Sequence, residues 1–152
     1  PLYFISHGLL AKPSLYLSDF FERNRASYYD ALMQVRVSNN LIHWVRFFLN
    51  GVAQTATKGR DTFQQVLALR NQAEQQILQL GKRTPNARQA LSVLYRKPMV
   101  TAADLERELG LSQPTVNALL RDFMKLGLLR EVTGAVRNRL YVFESYLELF
   151  VR

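Results

Sequence analysis

Gln113-x-x-x-Asn117-x-x-x-Arg121 sets three polar side chains at steps of four residues. On a helix that spacing gathers them on one outer face, with Thr115 and Lys125 flanking. Amides and guanidinium groups pair with base edges, and cations meet phosphates, so such a face has the chemistry to enter a major groove. A second set, Arg137-Asn138-Arg139, follows in a polar turn and suits an adjacent minor groove or backbone. The same residue types also make an ordinary solvated face, so protein contact and a purely structural cap are the competing readings. Asp122 and the acids Asp104, Glu106 and Glu108 oppose phosphate approach.

Other reactive residue types are sparse. The 152 residues contain no Cys, which excludes a disulfide framework, a Cys-ligated metal and a thiol nucleophile, and fits a reducing compartment. His7 and His43 stand apart from any ligand or triad pattern and are expected to be structural. Tyr28 and Tyr29 share a helix with Arg23 and Arg25. On periodicity that helix reads as half-buried, its Arg stems lying along apolar surface. The net charge of +8 favours an anionic partner. Both halves share it: residues 1–84 carry 10 basic and 5 acidic side chains, and residues 85–152 carry 10 and 7. No apolar run approaches the ~20 residues of a membrane helix. The apolar start, PLYFISHGLL, lacks the basic region and cleavage site of a signal peptide.

The elements that must position these residues are mostly helical. A short helix is expected over 2–10, broken by Pro13, and a second from Ser14 or Ser18 to about Val37. Leu17, Phe20, Phe21, Tyr28, Leu32 and Val35 would form its buried face. After the turn at Ser38-Asn39-Asn40, LIHWVRFFLNGVAQTA predicts a helix buried on more than one side, with Leu41, Val45, Phe48 and Val52 on one stripe and Trp44 and Phe47 on another. Gly59 is expected to break the chain before a packing or spacer helix over 61–80. Gly81-Lys82-Arg83-Thr84-Pro85 marks the main boundary. Beyond it the pattern predicts helices over 86–97, 102–109 (capped by Thr101, ended by Gly110) and 113–126 (capped by Ser112, ended by Gly127). Two β-prone runs, LLREV and LYVF, enclose a polar turn and predict a hairpin. ESYLELF suits a closing helix.

The stretch TAADLERELGLSQPTVNALLRDFMKLGLL and the hairpin after it resemble a winged helix-turn-helix. Leu105, Leu109 and Leu111 are expected to pack on Val116, Leu119, Leu120 and Phe123. The resemblance implies that residues 113–126 are the groove-facing helix and that Arg137, Asn138 and Arg139 form the tip of the wing.

A second resemblance covers about residues 1–55. It is carried by Pro13-x-Leu15-Tyr16-Leu17-Ser18-x-x-Phe21-x-x-Asn24-Arg25-x-x-Tyr28-Tyr29-x-x-Leu32, then Val35-Arg36, then Trp44-x-x-Phe47-Phe48-Leu49-x-Gly51-Val52. These residues resemble the segment just after the active site of Fic-family proteins. The departure is SNNLIHW, where relatives often carry an acidic turn. The resemblance implies AMP transfer from ATP, with Mg²⁺, to a target-protein hydroxyl in a full-length protein. It also implies that Tyr28, Tyr29 and Arg36 form a wall of the nucleotide pocket. The family's motif His-Pro-Phe-x-x-Gly-Asn-Gly-Arg-x-x-Arg is absent from this chain. Aligned on these landmarks, Pro1 would fall a few residues after that motif. The chain is therefore expected to need no cofactor, to bind no nucleotide above background and to be inactive alone.

The fold class expected is mainly α: Fic-like helices over 1–59, a spacer helix and linker over 60–84, and a winged helix-turn-helix with a small hairpin over 85–152. The leading functional expectation is the C-terminal part of a Fic-type adenylyltransferase whose winged helix binds DNA or regulates. A stand-alone winged-helix transcriptional regulator and a protein-interaction module are the alternatives. DNA, and a target protein in the full-length context, are the expected partners. A cytoplasmic location, no membrane and a homodimer built on exposed apolar side chains such as Leu2, Phe4 and Ile5 complete the expectation.

Overall fold

Helical periodicity dominates the computed structural model, which describes residues 6, 7 and 17–151. The helix expected over 2–10 and the patch at Leu2, Phe4 and Ile5 lie outside those residues. In chain order the elements are α1 (Leu17–Arg23), α2 (Arg25–Ser38), α3 (Leu41–Ile77), a 3₁₀ stretch (Leu78–Arg83), α4 (Thr84–Arg96), β1 (Met99–Thr101), α5 (Ala102–Leu109), α6 (Gln113–Lys125), β2 (Arg130–Glu131), β3 (Leu140–Val142) and α7 (Glu144–Val151). The fold is mainly helical with one small antiparallel sheet, and the chain divides into two units, Pro1–Phe63 and Gln64–Arg152.

In the first unit, the single helix expected up to Val37 is two. Asn24 leaves helical geometry at φ −112°, ψ 35°. Its backbone N–H and its side-chain amide both donate to the Phe20 carbonyl, at 3.0 and 2.9 Å, and its own carbonyl accepts from Tyr28 N–H at 2.9 Å, so the hydrogen-bond ladder continues across the change in dihedral angles. Leu17, Phe20 and Ala31 are buried. An aromatic cluster joins α1 and α2 to the start of α3: the rings of Phe21 and Tyr28 lie 5.3 Å apart, those of Tyr28 and Trp44 5.6 Å, and those of Phe20 and Phe47 5.3 Å. Gly51 lets Phe20 approach, since a Cβ there would sit 2.6 Å from its ring. The Trp44/Phe47 stripe packs in this way, and Phe48 of the other stripe joins it with its ring 6.3 Å from that of Trp44. In that other stripe Phe48 and Val52 are half-buried, whereas Leu41 and Val45 are 57% and 46% exposed, so the second side is covered only towards its C-terminal end. Gly59 does not end the helix either. α3 runs through it, because an isolated helical Gly costs only about 1 kcal/mol relative to Ala.

The second unit begins within α3. Ala73 and Ile77 are fully buried and belong to one core with Ala87, Leu91 and Leu94 of α4, Leu105 of α5, and Val116, Leu119, Leu120 and Phe123 of α6. Gly81, at φ 57°, ψ −117°, kinks the chain within the 3₁₀ stretch. The Thr84 hydroxyl donates to the Ile77 carbonyl at 3.0 Å, and α4 starts with Pro85 in its first turn. Phe143, Tyr95 and Tyr146 close the far side of the core, with ring centres 5.4–5.8 Å apart. Burial pushes the Tyr95 phenol up to about 12.

The sheet has three strands rather than a simple hairpin. β3 is central in the order β1-β3-β2, pairing Val100 with Tyr141 and Glu131 with Tyr141 in antiparallel register. β1 ends in Thr101, which caps α5 with a full capping box. Asp104 N–H donates to the Thr101 hydroxyl at 3.2 Å, and Thr101 N–H donates to the Asp104 carboxylate at 2.9 Å. Lys97 Nζ and Arg107 reach the same carboxylate at 2.7 Å. The Lys97 hydrogen bond first, then the Thr101 N–H, hold Asp104 well below the usual carboxylate range. Its stabilising contribution is therefore present above the unfolded value of ~3.9 and is lost as pH falls towards the folded value. Asp104→Asn should cost about 1 kcal/mol at neutral pH and make this unit's urea midpoint less pH-dependent below about pH 4. Urea titrations of both proteins at pH 7 and pH 3 check this.

Candidate nucleic-acid interface

α6 is held by its neighbours on both sides. Gly110 ends α5 in the left-handed conformation (φ 64°), its N–H donating to the Glu106 carbonyl. This sets α6 at an angle to α5 while Leu105, Val116, Leu119, Leu120 and Phe123 fill the space between. Ser112 takes the N-cap position but does not cap the backbone with its side chain; its hydroxyl pairs with the Thr115 hydroxyl at 2.9 Å. After α6, Leu128 N–H donates to the Phe123 carbonyl at 2.9 Å and starts the chain towards β2.

The loop over 132–139 is organised by one carboxylate. Glu131 accepts from Thr133 N–H at 2.8 Å, from Gly134 N–H at 3.0 Å and from the Thr133 hydroxyl. The Thr133 hydroxyl bond is the main reason its carboxyl lies below the ordinary range. Gly134 and Asn138 both take positive φ, and Arg139 Nε donates to the Ala135 carbonyl at 2.8 Å. The loop thus returns on itself and leads into β3.

Between α5, α6 and this loop lies an open cleft of about 590 Å³. Of the residues named from sequence, it is lined by Gln113, Asn117, Arg121, Arg137, Asn138 and Arg139. Thr115 and Lys125 do not line it: Thr115 is half-buried and Lys125 is exposed elsewhere. Helix geometry explains both. Each four-residue step overshoots a full turn by about 40°, so by Lys125 the stripe has rotated away and Met124 takes its place. Thr115, two residues from Gln113, points about 200° round the helix. The sequence did not single out Thr101, Ala102 and Ala103, which also line the cleft, nor Val136 and Tyr141.

The charge around the cleft is uneven. Arg121, Arg137 and Arg139 make no ion pair among the described residues, and all three are exposed. Most of the nearby acids are neutralised: Asp122 by Arg83 at 2.9 Å, Asp104 by Lys97 and Arg107, and Glu108 by Arg96 at 3.6 Å. Among the described residues, Glu106 is the one acid that lines the cleft.

The tyrosines of the first unit sit in a different setting. Tyr28 is half-buried in the aromatic cluster, and its ring meets that of Tyr29 at 5.4 Å. Tyr29 is 51% exposed, with the Arg25 guanidinium 5.7 Å from its ring centre, and Arg36 is exposed. His7 and His43 are exposed as well, so neither is a core histidine. Among the described residues, no group of three His, Cys, Asp or Glu side chains is placed to hold a metal ion. No described helix is long and apolar enough to cross a membrane.

A helix, a Gly-ended turn, a second helix presenting polar side chains, and a β-loop beside it on a three-stranded sheet together define a winged helix-turn-helix. Residues 83–137 match the MarR family, a stretch that begins just before α4 and ends in the wing. That match lies outside residues 1–55, which carry the Fic resemblance.

Proposed function

We propose that the second unit is the DNA-binding module of a regulator. α6 would enter the major groove, with Gln113 and Asn117 on base edges and Arg121 on a phosphate. Arg137 and Arg139 of the wing would contact the neighbouring backbone. The observation that carries this reading is the shared cleft, where six polar residues from α6 and the wing converge around cations without ion-pair partners. The MarR match supports it, since that family is one of DNA-binding regulators. Fluorescence anisotropy with a labelled random duplex tests it. Saturable binding that strengthens as salt is lowered supports the reading, and no binding at 50 mM salt sinks it. Asn117→Ala should relax sequence preference, with random-duplex affinity within about threefold of wild type, as competition with selected and random duplexes would reveal.

The regulator is proposed to act as a homodimer. Supporting this are two exposed apolar stripes on the first unit, Tyr29/Met33/Val37 on α2 and Leu41/Val45/Leu49 on α3. Light scattering should give twice the chain mass; a monomer at high concentration contradicts it.

A second reading, that these residues are the C-terminal part of a Fic-type adenylyltransferase, is favoured by one observation. The landmarks Phe21, Tyr28, Trp44 and Phe47 form a single aromatic packing site, so the residues that carry the resemblance lie together in the fold rather than scattered. The winged helix would then locate or regulate the enzyme. A reading frame that continues upstream of Pro1 without His-Pro-Phe-x-x-Gly-Asn-Gly-Arg would remove this reading.

A further inference from the structure

Glu106 is the exception to the charge pattern around the cleft. Each of the acids flanking it on α5, and Asp122 on α6, has a cation against it. Glu106 is half-buried, lines the cleft, and makes no ion pair among the described residues. Ala102, Ala103, Leu109 and Gly110 occupy the positions three and four residues away, so no cation stands at helical pairing distance, and none reaches Glu106 from elsewhere as Arg96 reaches Glu108. Ala102 and Ala103 line the cleft beside it and carry only methyl groups, which leaves the carboxylate accessible to a base edge.

An ionised carboxylate only accepts hydrogen bonds. A phosphate offers it no donor, and the guanine O6/N7 and thymine O4 edges repel it. In the major groove the donors are the exocyclic amines of cytosine and adenine. Gln113 and Asn117 in the same cleft already supply the bidentate amides that suit adenine. We propose that Glu106 is a specificity-determining residue that accepts from the N4 amine of cytosine and penalises every register placing a phosphate or a guanine O6 against it. The inference rests on the DNA reading above and adds to it a function for a residue that by charge alone opposes binding.

The test compares the wild-type chain with Glu106→Gln and Glu106→Ala, each first shown by circular dichroism to keep the wild-type helix content and melting profile. Each protein selects duplexes from a random pool, and random-duplex affinity is measured at 50 and 200 mM salt. The expected wild-type pool contains a fixed C·G pair whose selection is lost in Glu106→Ala and shifts towards adenine in Glu106→Gln. Both variants should bind random duplex several-fold more tightly at 50 mM salt, with the gap narrowing at 200 mM as screening shortens. Wild-type binding in which both variants retain the same selected site and the same affinity overturns this inference alone. So does a wild-type pool in which no cytosine position depends on Glu106. A wild-type chain that binds no duplex overturns the DNA reading and this inference with it.

Discussion

Replacing Arg121, Arg137 and Arg139 together by Ala should weaken binding to every duplex sequence and flatten its salt dependence. Each phosphate neutralised releases condensed counterions and adds about 0.9 to the slope of log K against log salt. Loss of three such contacts should reduce that slope by about 2.7. Between 50 and 200 mM salt the wild-type chain would then lose about 40-fold more affinity than the triple variant. Arg121 and Arg137 are exposed and make no ion pair among the described residues, so their loss should cost within ~0.5 kcal/mol, while Arg139 also gives up its Nε bond to the Ala135 carbonyl, worth about 1 kcal/mol. Anisotropy titrations at four salt concentrations measure the slope. An unchanged slope would mean that these cations do not touch phosphate.

Phe123→Ala should cost about 3–5 kcal/mol and lower the urea midpoint of the winged-helix unit by about 2 M. Phe123 is 1% exposed and lies in the core that joins α3, α4, α5 and α6. Its own carbonyl accepts from Leu128 and Leu129 N–H at 2.9 and 3.3 Å, so it also anchors the exit from α6. Such a loss is a large part of a domain stability of about 5–15 kcal/mol. Duplex affinity should fall with the folded fraction rather than through any lost contact, because Phe123 does not line the cleft. Leu67→Ala is the matched control. Leu67 is 43% exposed in the same unit, so its truncation should shift the midpoint by less than ~0.5 kcal/mol equivalent. Equal effects from the two substitutions would contradict the core described here.

What could be read from sequence was local. Thr101-x-x-Asp104, Gly110 and the apolar spacing of Leu105, Val116, Leu119, Leu120 and Phe123 each carry their own reason for a cap, a turn or a buried stripe, and the fold uses them that way. What escaped depended on partners distant in the chain or on small angular differences. β1 is three residues long after Pro98, too short to alternate, and becomes a strand only by pairing with β3 some 40 residues later. Asn24 departs from helical dihedral angles between α1 and α2, and nothing in its neighbours announces it. At the cleft, steps of four drifted off the stripe, so Lys125 was included where Met124 belongs. Glu106 was grouped with acids that turn out to be neutralised. Its distinction is tertiary: Arg96 reaches Glu108 and Arg83 reaches Asp122 from distant positions in the chain, whereas no cation reaches Glu106 among the described residues.

The central claim is that the α6–wing cleft is the face that meets DNA. Its most direct test is a duplex titration of isotope-labelled chain followed by amide chemical shifts. The account predicts that the largest shifts fall in residues 113–121 and 136–139, with the aromatic cluster of Phe21, Tyr28, Trp44 and Phe47 undisturbed. Saturating duplex that leaves residues 113–121 and 136–139 unshifted, or shifts confined to residues 17–63, would contradict it.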